Sequence, residues 1–426
     1  MLKCVVNGSN KLYGDVRVQG SKNASLPILA AAILCEGETV IHNIPDITDI
    51  GIMLNLLREL GCKVTEEGKS VIINSMELNC MYVRDELVAQ MRSSIIILGA
   101  LLSRGQDVKI SYPGGCSIGL RPIDLHLKAL KKLGADIREE NGYIFCKATR
   151  LKGADISLDF PSVGATENII LASATAEGTC VIRNAAKEPE IIDLQGYLNA
   201  CGARVSGAGT DTVTVTGVPK LRCSEYTIMA DRIAAGTYMA ACHMTGGDVF
   251  LRGVTREGIG AIYDTMLAAG ADMREQRDGL RISSDGRVKP IDKLTTMPYP
   301  GFPTDMQPQI STMLCVADGV SIVKETIFEN RFRHIVQLLK MGADITTEGN
   351  TAIIKGVSHL YGARVYAEDL RAGAALIIAA LRAEGQSEIY GVNYILRGYD
   401  DIDGTLRALG ADIKIVENIK EERASV

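Results

Sequence analysis

The chain has 426 residues, 46% of them hydrophobic and 23% charged, with a formal net charge of −5. That is enough apolar material for two ordinary folded domains, and it excludes a disordered or fibrous chain. The acidic balance argues against a nucleic-acid or membrane-surface binder, so any anionic small molecule has to be met by a local cluster of Arg and Lys.

Residues 1–14 lack an apolar stretch of signal-peptide length. The longest apolar runs, 26–35 and 95–102, are too short to span a bilayer, so a cytoplasmic protein is expected. The 11 cysteines are scattered from Cys4 to Cys315 without a C-x-x-C pair, which fits reduced thiols that mostly pack in the core. The five histidines show no metal-ligand spacing, so neither a metal nor another cofactor is expected. Gly207-Ala208-Gly209 begins like a dinucleotide fingerprint but lacks the third glycine, and reads as a turn between strands.

One phrase recurs along the chain: Leu-Gly-Cys-Lys-Val at 60–64, Leu-Gly-Ala-Asp-Ile at 133–137, and Cys-Gly-Ala-Arg-Val at 201–205. It returns as Ala-Gly-Ala-Asp-Met at 269–273, Met-Gly-Ala-Asp-Ile at 341–345 and Leu-Gly-Ala-Asp-Ile at 409–413. Successive glycines lie 73, 68, 68, 72 and 68 residues apart, a period that marks six copies of one unit. In each, an amphipathic helix ends at a glycine suited to a left-handed cap, and a short strand follows. The last copy shows the order: a strand at 363–367, a small-residue helix at 370–383, a strand at 388–392, a helix at 400–409 and a strand at 411–416. Other copies add a fourth strand, as at 143–148 and 351–356, giving β-α-β-α-β-β.

The first helix of a unit is apolar on all sides, as at 26–34, 95–102, 169–176 and 233–241, and such a helix is buried. The second carries charge, as at 127–133, and belongs outside. The expected fold is therefore α/β, an inside-out barrel in two domains of three units each, with the first helices buried. The boundary is expected near 224–230, giving one domain at 22–229, a second at 1–21 plus 230–417, and a tail at 418–426. The sixth unit lacks a fourth strand, so the N-terminal strands should complete the second domain and make residues near 20 and 230 a double hinge.

Polar residues recur in the turn before each first helix: Gly-Ser-Lys-Asn-Ala-Ser at 20–25, Gln-Met-Arg-Ser-Ser at 90–94, Pro-Ser-Val-Gly-Ala-Thr at 161–166, Ala-Asp-Arg-Ile at 230–233, Pro-Thr-Asp-Met-Gln at 303–307 and Glu-Asp-Leu-Arg-Ala at 368–372. A helix start offers unpaired N–H groups and a positive dipole end, a ready anion site. Ser25, Thr166 and Asp369 read equally well as helix caps. Capping does not account for Lys22, Arg92 and Arg371, since cations there oppose the dipole unless an anion sits among them. Before the second helices, the segment 112–126 sets Pro113, Gly114, Gly115 and Gly119 around Cys116, near Arg121, as a surface loop presenting a thiol able to act as acid or nucleophile.

At these residues the chain resembles the UDP-N-acetylglucosamine enolpyruvyl transferase family, from about residue 3 to about residue 416. The motifs that carry the resemblance are Gly-Ser-Lys-Asn-Ala at 20–24, Pro-Gly-Gly-Cys-Ser-Ile-Gly at 113–119, Arg-Pro-Ile-Asp-Leu-His at 121–126, Asn-Ala-Ala-Lys-Glu-Pro-Glu-Ile at 184–191, Phe-Pro-Thr-Asp-Met-Gln at 302–307 and Phe-Glu-Asn-Arg-Phe at 328–332. The resemblance implies transfer of enolpyruvyl from phosphoenolpyruvate to the 3-hydroxyl of UDP-N-acetylglucosamine by addition and elimination, with release of phosphate and no metal or other cofactor. This is the first committed step of peptidoglycan precursor synthesis.

By the same resemblance Lys22, Arg121 and Arg397 would bind the phosphate of phosphoenolpyruvate, with Arg92, Arg331 and Arg371 supporting the anion cluster and the substrate carboxylate. Asn23, Asp305 and Ile327 would hold the sugar. Arg121, Pro122, Ile123, Asp124 and Leu125, with Ser162, Val163 and Gly164, would hold the uracil and diphosphate, and Asp369 joins the substrate-binding set. Cys116 would protonate the methylene carbon and Asp305 would take the proton of the sugar 3-hydroxyl, with Lys22 and Arg397 completing the catalytic group. The residue types suit this chemistry, which needs an acid and a base within reach of the reacting atoms, and Arg for two anionic groups on one small substrate. Because the cations come from both halves of the chain, an open form is expected to keep the halves apart and sugar-nucleotide binding to close them. Some relatives carry Lys where this chain has Phe160, which could stack on a base or pack inward. Two other readings remain: transfer onto shikimate 3-phosphate, and a non-catalytic regulatory paralogue that binds the nucleotide sugar.

Overall fold

The computed structural model describes residues 2–79, 82–114, 118–119 and 122–417. Its strands assemble into six small sheets, five of four strands and one of three. All follow one pattern. In one of them Asp155–Ser157 runs parallel to Thr179–Arg183, joined through the helix Val163–Ser173, and Thr212–Thr216 and Arg204–Ser206 then add antiparallel. Parallel neighbours need such a crossover, because a tight turn can join only antiparallel strands. In the three-stranded sheet (Val108–Ser111, Tyr143–Lys147, Asp136–Glu140) the parallel partner shrinks to a single bridge between Tyr82 and Lys109.

The units are linked by exchanging strands. Leu2–Asn7 lies antiparallel between Gln386–Tyr390 and Asp412–Glu417, supplying the strand that the sixth copy lacks in its own sequence. Leu12–Arg17 leads into the helix Lys22–Ala32 but pairs with Gly247–Arg252. Glu225–Thr227 leads into the helix Arg232–Thr245 but pairs with Glu38–His42. The two connections cross side by side: Ser21 N–H donates to the Met229 carbonyl at 2.8 Å, and Asp231 N–H to the Gln19 carbonyl at 2.9 Å. Only a glycine fits at position 20, since a Cβ there would lie 1.7 Å from the Asn43 carbonyl oxygen.

The first helices are buried as their composition demands, from Ala24 to Ala32 in Lys22–Ala32 and from Arg232 to Met244 in Arg232–Thr245. Their burial produces two clusters of apolar residues, one within 24–228 and one joining 4–18 to 233–413. The glycines of the recurring phrase all take positive φ, from +89° at Gly342 to +100° at Gly410, as a C-terminal cap requires. The caps at the other end correct two expectations. Ser25 and Thr166 lie one turn inside their helices, with hydroxyls that donate to the carbonyls of Ser21 and Ser162. The capping side chains are those of Ser21, Ser162, Asp231 and Asp369. Among the described residues no helix is long and apolar enough to cross a membrane.

In the second unit, as in the fifth, a 3-10 turn opens the first helix: Arg92–Ile96 runs into the α-helix Ile97–Ser103. The buried Asn168 supports this junction: its Oδ1 accepts from Gly99 N–H at 2.7 Å and its Nδ2 donates to the Ile95 carbonyl at 3.1 Å. Asn168→Leu keeps the volume but leaves both backbone groups without this partner, so unfolding free energy should fall by about 2–3 kcal/mol. A urea titration monitored by circular dichroism reads this out; a fall below about 1 kcal/mol would show that the junction holds without the amide.

Candidate functional site

The N-terminal turns of several first helices meet. The Asp231 carboxylate spans two of them: Oδ1 accepts from Ile233 and Ala234 N–H of its own helix, and Oδ2 from Lys22 N–H at 3.2 Å. Lys22 opens the helix Lys22–Ala32, and its ammonium lies 2.7 Å from Asp49 Oδ2. Arg397, from the other end of the chain, places Nε 2.8 Å from Asp49 Oδ1. Asp49 is thus a buried carboxylate shared by two cations. Burial pushes its pKa up, but Lys22 and Arg397 outweigh that and hold it below its ordinary value. Lys22 is held below the ordinary lysine value, chiefly by burial and also by the charges of Arg371 and Arg397, against the opposing pull of Asp49.

A second carboxylate does the same beside it. Asp305 sits in the 3-10 turn Thr304–Met306 ahead of the helix Gln307–Leu314. Its Oδ1 accepts from Arg331 at 2.9 Å and its Oδ2 from Arg371 at 2.9 Å. Burial works against the charge on Arg371, and Asp305 more than offsets it. Asp369 caps the helix Leu370–Arg382 through Arg371 and Ala372 N–H and lies 3.8 Å from Arg331. Arg371 Nη1 is buried and makes no hydrogen bond among the described residues. A third buried pair, Arg232 with Glu190 at 2.9 Å, joins the helices Arg232–Thr245 and Pro189–Ala200 across the crossing.

The expected nucleotide segments also converge. Ile123 precedes the helix Asp124–Lys132, and Ser162 caps Val163–Ser173. Lys128 lies 3.4 Å from Asp124 and 3.7 Å from Asp159, tying one turn to the other. His126 is buried between them; burial first, then the charge of Arg92, depresses its pKa to about 4, so the ring is neutral at pH 7. A Cβ on Gly164 would come within 3.2 Å of that ring. Phe160 does not pack inward; it is 46% exposed beside Ser162. Pro122 is exposed, Leu125 and Val163 are half-buried, and Asn23 and Ile327 stand half-buried in the first turn of Lys22–Ala32 and after Glu325. Cys116 and Arg121 lie outside the described residues.

The two halves touch. Thr48 N–H donates to the Leu396 carbonyl at 3.0 Å, and Asn330 N–H to the Ile118 carbonyl at 2.9 Å. Sequence reasoning missed Asp49, Asp231 and the Arg232–Glu190 pair. Asp49 had a signal: an acid recurs in the first turn of the second helices as Asp49, Asp124 and Glu190. Only the fold shows that one of the three is buried between two cations.

The family model for EPSP synthase (3-phosphoshikimate 1-carboxyvinyltransferase) matches residues 6–418. A UDP-N-acetylglucosamine 1-carboxyvinyltransferase of Caldanaerobacter subterraneus is 50% identical over 413 residues, covering 97% of this chain and 99% of its own. The chain belongs to the UDP-N-acetylglucosamine 1-carboxyvinyltransferases of the EPSP synthase family. A member from Geobacter metallireducens is 47% identical over 98% of this chain and 100% of its own. The fold is that of enolpyruvyl transferases: NikO from Streptomyces tendae superposes with a TM-score of 0.88 at 24% identity over 97% of this chain and 99% of its own. EPSP synthase from Acinetobacter baumannii superposes at 0.77 with 20% identity, over 98% of this chain and 100% of its own.

If Asp49 is what keeps Lys22 protonated, Asp49→Asn should move the alkaline limb of the kcat/KM profile to lower pH. The sign follows from the carboxylate, which raises the Lys22 pKa and no longer does so once neutral. An unmoved alkaline limb, measured against pH for both substrates, would mean that Lys22 draws its charge from elsewhere.

Proposed function

We propose that the residues around Asp49 and Asp305 carry out the family's reaction, enolpyruvyl transfer from phosphoenolpyruvate to the 3-hydroxyl of UDP-N-acetylglucosamine with release of phosphate. The observation that carries the reading is the pair of carboxylates, each shared by two cations, between the two halves. Lys22, Arg397 and Arg121 take the phosphate of phosphoenolpyruvate, and Arg92, Arg331 and Arg371 take its carboxylate and the charge that develops. Asp305, held between two guanidiniums, receives the proton of the sugar hydroxyl as its oxygen attacks C2 of phosphoenolpyruvate. Cys116 gives a proton to the methylene carbon. Loss of phosphate and of a methyl proton then yields the enol ether. Asn23, Ile327 and Asp369 position the sugar.

Pro122, Ile123, Asp124 and Leu125 with Ser162, Val163 and Gly164 receive the uracil and diphosphate. The converging starts of two helices favour that assignment, because each offers N–H donors and positive dipole to a phosphate. Phe160, exposed at the same edge, stacks on the uracil. The fold is read as an inside-out α/β barrel of two domains, 22–229 and 1–21 plus 230–417, each of three β-α-β-α-β-β units, with residues near 20 and 230 as a double hinge. Two separate apolar clusters and the paired crossing support it. The hinge opens to admit substrate and closes on the sugar nucleotide, in a cytoplasmic enzyme at the first committed step of peptidoglycan precursor synthesis. No other cofactor enters this chemistry.

Phosphate release tests the reading, with UDP-N-acetylglucosamine and shikimate 3-phosphate as parallel acceptors and Cys116→Ser as control. Release only with the nucleotide sugar, strongly reduced in the variant, is expected; nucleotide-sugar binding without release in either case would favour the regulatory paralogue. Phe160→Ala should raise KM for UDP-N-acetylglucosamine about 5- to 100-fold, the loss of one base–aromatic stack, with kcat little changed. An unchanged KM would remove the ring from the nucleotide site.

A further inference from the structure

Three thiols distant in sequence converge at the far ends of helices that carry the site. Cys35 follows the helix Lys22–Ala32, Cys201 ends the helix Pro189–Ala200, and Cys223 precedes the strand Glu225–Thr227. The backbone fixes their proximity: Cys35 pairs with Leu221 in a parallel bridge, and Arg222 N–H donates to the Cys201 carbonyl at 2.8 Å. Gly37, two residues beyond Cys35, is packed on Cys223 so closely that a Cβ would lie 2.8 Å from its sulfur. The sulfurs of Cys35 and Cys201 are within hydrogen-bonding reach of each other, Cys35 donating. Both are buried, whereas Cys223 is partly exposed.

Cys201 differs from the cysteines that merely pack. Burial pushes Cys4, Cys146, Cys242 and Cys315 up to about 12, and Cys35 is pushed up as well, by its hydrogen bond to Cys201 and by burial. At Cys201 the S–H donated by Cys35 outweighs burial and lowers the pKa below its ordinary value. The arrangement combines a partly exposed sulfur at Cys223, a buried thiol at Cys35 and a buried sulfur at Cys201 biased toward thiolate.

We propose that Cys223, Cys35 and Cys201 form an oxidation relay that ends in a Cys35–Cys201 disulfide, with a hydroperoxide as oxidant. The Cys223 sulfur attacks the peroxide, taking one oxygen as sulfenic acid and releasing alcohol or water. The Cys35 thiol displaces that oxygen as water and forms a Cys35–Cys223 disulfide. The Cys201 thiolate then attacks the Cys35 sulfur, and Cys223 leaves and regains a proton. In sum two thiols lose two electrons and two protons and the peroxide is reduced. The product staples the C-terminal ends of the two helices whose starts carry Lys22 and Glu190.

The test is peptide mapping of the full-length protein after hydrogen peroxide, with alkylation of remaining thiols. Cys35, Cys201 and Cys223 fall in separate tryptic peptides, and Cys116 in another, so each pairing is distinguishable. A Cys35–Cys201 link reversed by dithiothreitol is expected, lost in Cys201→Ser, where the Cys35–Cys223 link should accumulate instead. Cys223→Ser should slow formation of the Cys35–Cys201 link at least tenfold. Oxidation of Cys223 with Cys35 and Cys201 still alkylatable would overturn the proposal, and an unslowed link in Cys223→Ser would overturn the relay.

Discussion

A lysine or arginine at the positive end of a buried helix is tolerated only beside an anion. Lys22 and Arg371 both occupy such places, and Asp49 and Asp305 are the anions that make them tolerable. Each carboxylate is shared with a second cation from elsewhere in the chain, Arg397 and Arg331. The cations outnumber these two carboxylates, so the cluster stays preformed with its donors oriented yet keeps positive charge for an incoming anion. An incoming phosphate or carboxylate meets cations already held by something it can compete with, so binding exchanges one counter-ion for another and avoids burying charge afresh.

The paired crossing at residues 19–21 and 229–231 sets the starts of two of these helices side by side. The two strands bond to each other through Ser21, Met229, Asp231 and Gln19. Asp231 joins the starts of both following helices.

Much of this was legible in the chain. The glycine repeat carried the six units, because a left-handed cap has few alternatives to glycine and the period survives divergence. Apolar first helices revealed their burial, and the missing strand of the sixth copy pointed to Leu2–Asn7. What was not legible depends on which of several similar residues is buried. Ser25 and Thr166 looked like caps, but the chain enters each helix one turn earlier, at Ser21 and Ser162. Asp49 and Asp124 occupy like positions in their helices, yet Asp49 is buried between two cations while Asp124 stands half-exposed beside Lys128. Such differences arise from packing between units, which no local pattern encodes. The sequence assigned the N-terminal strands to the second half, but not the sheets that Leu12–Arg17 and Glu225–Thr227 join, which were hidden for the same reason: each precedes one helix and serves another unit.

The placement of Leu2–Asn7 sets an order of assembly. This strand is made before every other described strand, yet both its neighbours, Gln386–Tyr390 and Asp412–Glu417, lie beyond residue 385. Leu12–Arg17 likewise waits for Gly247–Arg252. During synthesis the first half can close its sheets once Glu225–Thr227 has appeared, while the start of the chain carries unpaired strand edges until the end is complete. Contacts that span nearly the whole sequence are also slow to form. That sheet thus becomes whole only when Leu2–Asn7 meets Gln386–Tyr390 and Asp412–Glu417, and a chain cut short before residue 386 leaves Leu2–Asn7 without either partner.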